Sequence, residues 1–141
     1  MIRVVIDTNV FVSSFVGGNP RKIVDLWKEG RVTWCLSRPI IDEYLDGLAR
    51  LGLQEDADLR ELLTVFAQSA NTLFTTAPPD LNIVSEDPDD NKFIACAVAL
   101  QGDVIVSGDR HLTSIENYMG TPIVDPRTFR TLFETGRLQR G

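Results

Sequence analysis

The sequence predicts an α/β protein, a three-layer α/β/α sandwich with a mostly parallel central sheet of about five strands. Three observations carry that prediction. Two short β-branched runs, Ile2, Val4, Val5 and Ile6 in the first and Val104 to Val106 in the second, are almost wholly apolar, the mark of strands buried on both faces. Such runs alternate with amphipathic stretches of helical period, and crossovers of this kind are right-handed and lay helices on both faces of a parallel sheet. The 141 residues, 43% of them apolar and 24% charged, suit one globular domain that buries roughly two thirds of its unfolded surface.

The first strand stops abruptly at Asp7, Thr8 and Asn9, which puts a carboxylate at a strand's carboxyl end, the edge where open α/β sheets bind ligands. Val10 to Val16 is apolar and small, and Gly17 to Pro20 is a loop. Pro20 suits the first turn of a helix with Ile23, Val24, Leu26 and Trp27 on its apolar face and Gly30 as its stop. Val32 to Leu36 is a second strand. Ser37 is placed to cap the next helix, where Ile41, Tyr44, Leu45, Leu48 and Leu51 fall on one stripe and Glu43 lies off it, in the first turn.

Asp56 to Ser69 reads as an amphipathic helix with Leu59, Leu62, Leu63 and Phe66 inward, and Asn71 to Thr75 as a short strand ended by Ala77, Pro78 and Pro79. Lys92 to Gln101 is apolar nearly all round and rich in small residues, so it is a central helix, with Asp87, Asp89 and Asp90 at its amino end and Gly102 at its close. Val104 to Val106 leads into Ser107, Gly108 and Asp109. A short helix from Leu112 to Tyr118, a strand at Pro122 to Val124 and a helix from Pro126 to about Thr135 complete the pattern, with 136–141 as a frayed tail. No linker divides residues 1–141.

Composition excludes several classes. No stretch reaches about 18 apolar residues and no cleavable leader pattern is visible, so the expectation is a cytoplasmic protein with no membrane partner. Cys35 and Cys96 lie inside apolar runs without metal spacing and read as core. The net charge of −6 argues against passive binding to phosphate backbones. That argument lapses where acids hold divalent cations, because the ions cancel the charge and attract phosphate, leaving eleven arginines for a nucleic-acid backbone.

Asp7, Glu43, Asp90 and Asp109 share one structural address, since parallel strands send all their carboxyl ends to one edge. Hard oxygen ligands suit Mg²⁺ or Mn²⁺, and with His111 the lone histidine a His-based zinc site has little support. Each acid also has a purely structural role open to it. Asp87 precedes Pro88 as an N-cap with Asp90 in capping-box spacing, Glu43 is a solvated first-turn acid, and Asp109 caps the following helix. Asp7 is the hardest to explain that way, because a desolvated carboxylate without a partner costs several kcal/mol.

Four segments in order, Val4 to Val10, Ser37 to Glu43, Asp87 to Phe93 and Val106 to Asp109, resemble the ordered motifs of the PIN-domain family, closest to its VapC-related toxin components. The resemblance covers nearly the whole chain. It implies a metal-dependent ribonuclease on an α/β/α sandwich, with Asp7, Glu43, Asp90 and Asp109 as the four acidic positions and one or two Mg²⁺ or Mn²⁺ ions between them. On this reading Asp7 and Asp90 bind metal directly, Asp109 binds directly or through water, and Glu43 binds metal or orients the nucleophile. Thr8, Asn9 and Ser107 support them. Asp87 and Asn91 compete with Asp90 for the third position, where Asp90 is favoured and Asp87 is a capping or auxiliary acid. The implied partners are an RNA substrate, an antitoxin protein and a second copy of the chain. Two other readings stay open: a non-catalytic PIN-like module binding RNA or protein, and a phosphatase-like hydrolase using Asp7 as nucleophile. The latter lacks an acid at Asn9.

Overall fold

Strand β1 (Ile2–Ile6) sits at the middle of a six-stranded sheet, with β2 (Val32–Ser37) on one side and β4 (Val104–Val106) on the other. The sheet continues through β3 (Thr72–Thr75) beyond β2, and through β6 (Thr121–Val124) and then β5 (Asn117–Tyr118) beyond β4. All pairings are parallel except that of β5 with β6. These facts come from a computed structural model that describes residues 1–53, 57, 59–60, 63–64, 71–83 and 88–138. The α/β class is as expected, with one strand more than foreseen. Residues 112–118 do not form one helix: α5 (Arg110–Thr113) is a single turn, and the chain then enters β5.

Alternation along the strands sorts the helices into layers. Trp34 of β2 points to the face that carries α1 (Thr8–Ser13), α2 (Gly18–Lys28) and α3 (Arg38–Arg50), where it meets Phe11, Trp27 and Tyr44. Cys35, its neighbour, points to the other face and α4 (Asn91–Leu100), where burial pushes the Cys96 thiol up to about 12. Both cysteines are buried and neither forms a disulfide, as a core reading requires. Helix α6 (Pro126–Glu134) closes beside α2, with the Arg31 guanidinium over the Phe133 ring.

The apolar run after Asp7 is helical, a feature the sequence reading did not assign. On α3 the buried positions are Ile40, Tyr44, Gly47 and Leu48, whereas Leu45 is 53% exposed and Leu51 lies on the surface. The stripe is therefore rotated from the one expected. Ile41, Leu45 and Leu48 instead line an apolar groove of about 250 Å³ with Leu59 and Leu63. Of the expected helix at 56–69, residues 57, 59–60 and 63–64 are helical, and the others, Leu62 and Phe66 among them, lie outside the described residues. Gly102 does not supply the left-handed turn after α4, which falls on Gln101 (φ 53°). Gly102 is small for another reason: a Cβ there would stand 3.2 Å from the Cα and Cβ of Ala97. Nor is the tail loose from its start, because the amides of Gly136 and Arg137 donate back to Phe133 and Leu132 and Leu138 packs on the core.

Candidate metal centre and active-site cleft

Sheet register brings the first and last acids together. Ile6 pairs with Val106, the Asp7 amide donates to the Val106 carbonyl at 3.0 Å, and Ser107 therefore stands beside Asp7 with Asp109 two residues on. Asp7 is 3% exposed and caps α1, its Oδ1 accepting from the Val10 amide at 2.8 Å. Its Oδ2 accepts from the hydroxyl of the fully buried Ser107. The same hydroxyl oxygen accepts from the Asp109 amide at 2.9 Å, so one serine ties the two acidic segments together. Burial raises the Asp7 pKa. Hydrogen bonds from Ser107, Val10 and Gly108 oppose that, and the charge of Asp109 adds the smallest increment. Repulsion between the two acids is thus secondary here to desolvation, the cost anticipated for Asp7 from the sequence.

Asp109 also caps α5, its Oδ1 accepting from the His111 amide at 2.8 Å, so the structural role foreseen for it is real and coexists with its place at the sheet edge. Asp90 ends a short 3₁₀ turn (Pro88–Asp90) directly before α4 and is buried, with Oδ2 shielded from solvent. One ligand atom from each of Asp90, Asp109 and His111 lies within 4.8 Å of the others. Asp7 and Glu43 are not members of that group. Asn91, a rival for the third position, is occupied with the chain: its Oδ1 accepts from the Ile83 amide at 2.8 Å and its Nδ2 donates to the Pro88 carbonyl. Asp87 lies outside the described residues.

Glu43 approaches from the other wall. It is in the second turn of α3 and not in the first, as the sixth residue of a helix that begins at Arg38, directly after the expected cap at Ser37. Thr8 Oγ1 donates to Glu43 Oε1 at 2.6 Å, and the Lys92 ammonium pairs with Oε2. Between the walls is a cleft of about 520 Å³, lined by Thr8, Asn9, Pro39, Asp42, Glu43, Asp46, Arg50, Asp89, Asp90, Lys92 and Asp109. Six carboxylates face two cations in it.

Sequence reasoning missed three features of this cleft. Asp42, Glu43 and Asp46 share a face of α3 by their i, i+3 and i, i+4 spacing, a signal that was readable. Gly47 lets α3 approach α1, since a Cβ there would lie 3.1 Å from Thr8 Cγ2 and 3.2 Å from Val12 Cγ2. His111, which the sequence offered no part in the site, is exposed but stands at the acids. The donor set of oxygens with one imidazole, an open polar cavity and buried Asp7 and Asp90 fits a divalent cation.

A protein-family model described as a PIN domain matches residues 3–111. The chain belongs to the PIN-domain family. PIN domains are in general metal-dependent nucleases, so the acidic cleft of this PIN domain is the place where that chemistry would reside. The protein is similar to an uncharacterized protein of Methanocaldococcus jannaschii, 35% identical over 123 residues that span 82% of this chain and 76% of the relative. Among the described residues no helix of the PIN domain is long and apolar enough to cross a membrane.

Proposed function

We propose that this PIN domain is an Mg²⁺- or Mn²⁺-dependent endoribonuclease that hydrolyses phosphodiester bonds in RNA, and that it serves in the cytoplasm as the toxin of a toxin–antitoxin pair. The observation that carries the nuclease reading is the approach of Asp90, Asp109 and His111 within 4.8 Å beside a desolvated Asp7. A divalent ion, if held there, would supply an activated water and offset charge on the phosphoryl oxygens. Asp90 and Asp109 are the residues placed to hold it. Asp7 acts from behind them, keeping Ser107, and through it the Asp109 backbone, in position. Glu43, oriented by Thr8, is placed to accept a proton at a carboxylate oxygen from a water in the cleft. Asn9 lies at the rim, where it can meet the substrate backbone.

The test incubates the purified protein with structured RNA and with a generic phosphatase substrate, each in EDTA, Mg²⁺ and Mn²⁺. The expected result is internal RNA cleavage only with metal, lost in Asp7→Asn. Equal cleavage by Asp7→Asn and the wild type in Mn²⁺ would overturn the assignment of the site. RNA binding without cleavage would favour the non-catalytic module, and turnover of the phosphatase substrate the phosphoryl hydrolase. The toxin role rests on the VapC-like resemblance of the four motifs. It predicts growth arrest on induced expression that Asp90→Asn abolishes; unaffected growth would remove the toxin role while leaving the ribonuclease standing.

A further inference from the structure

Lys92 is placed where a helix disfavours a cation. It is the second residue of α4, near the positive end of the helix dipole. Its side chain nevertheless turns into the acidic cleft and is only 21% exposed, its ammonium on Oε2 of Glu43, itself 24% exposed. The other Glu43 oxygen accepts from Thr8 at 2.6 Å, so both oxygens of this carboxylate are engaged by protein donors. Asp90 and Asp109 form a separate group with His111.

We propose that Lys92 is the cleft's own second cation: it holds Glu43 in the position a second divalent ion would otherwise take, so that the cleft admits one ion, at Asp90 and Asp109. A dication brought to Glu43 must approach an ammonium in contact with the same carboxylate, and at such separations like charges in a partly desolvated cleft repel strongly. Glu43 is thereby a positioning and proton-accepting group and not a metal ligand. Removing the charge at residue 92 leaves Glu43 an uncompensated carboxylate among other acids, the condition under which a cation is recruited.

This inference rests on the reading of the cleft as a divalent-ion site, and the experiment separates the two. Calorimetric titration of the metal-free protein with MnCl₂ counts ions per chain, with circular dichroism to verify folding. The wild type is expected to bind one Mn²⁺, Lys92→Met two, Lys92→Arg one, and the double variant Lys92→Met with Glu43→Gln one again. Lys92→Gln replaces Lys92→Met in the series if the latter does not fold. Two ions in the wild type, or one in every variant, would overturn the role of Lys92 while the metal site itself stood. No Mn²⁺ bound by any of them would overturn both.

Discussion

Asp7 has its two carboxylate oxygens committed to Val10 and Ser107, yet burial disfavours its charge more than these donors favour it. The consequence for pH follows from linkage. A carboxyl whose folded pKa is raised binds its proton more tightly when folded, so its stabilising contribution is complete below the ordinary value of 3.8 and is lost as pH rises through the folded pKa. In EDTA the wild type should therefore lose stability on going from acid to neutral pH through this group. Asp7→Asn keeps an acceptor for Val10 and carries no charge. Its melting temperature should exceed that of the wild type at pH 7.5 by a few degrees, the effect of about 1 kcal/mol in a domain of this size, with the gap closing toward pH 4. Thermal melts across that range check it, and a variant that melts lower at neutral pH would contradict the account. The residue scale is also where the sequence was most readable. A β-branched run that ends in a carboxylate marks a sheet edge without any knowledge of neighbours, whereas the donors that restrain it, from Ser107 and Gly108, arrive a hundred residues later.

At the scale of elements, the cleft depends on how closely α1 and α3 approach. Gly47 is the contact that permits it, and the Thr8 to Glu43 hydrogen bond spans the same interface. Gly47→Ala pits two effects against each other. Alanine favours the helix by about 1 kcal/mol, while its Cβ forces Thr8 and Val12 back by a few tenths of an ångström. Stability should stay within about 1 kcal/mol of the wild type, and metal-dependent cleavage should fall several-fold because Thr8 no longer holds Glu43. Paired melting and cleavage assays on one preparation distinguish this from simple unfolding; undiminished cleavage would count against it. The rotation of α3 explains why such a contact was illegible. Each residue turns a helix by about 100°, so choosing Ile41 and Leu45 instead of Ile40 as inward residues misplaces the face, and only packing on Phe11 and Trp34 decides between them. The second-turn position of Glu43, by contrast, was legible: counting from the expected cap at Ser37 makes it the sixth residue of the helix.

For the molecule as a whole, a divalent ion held by the acids gathered at one sheet edge would tie folding to metal. A ligand bound by the folded state alone stabilises it by about 2.7 kcal/mol at a hundred times its dissociation constant. MnCl₂ should therefore raise the melting temperature of the EDTA-treated protein more than an equal ionic strength of NaCl, and Asp90→Asn and Asp109→Asn should each remove most of that gain. Identical shifts in the two salts would reduce the effect to screening. The sequence by itself determined the α/β class, the parallel strands with their acids at the carboxyl ends, and the order of motifs that marks the PIN domain, because strand burial and the alternation of elements are local patterns. Only the tertiary structure decided which groups meet. Pairing β1 with β4 puts Ser107 between Asp7 and Asp109, the short α5 brings His111 to Asp90, and the close packing of α3 hands Glu43 to Thr8 and Lys92. Those are contacts between distant parts of the chain, set by sheet order and helix rotation, and no local pattern carries them.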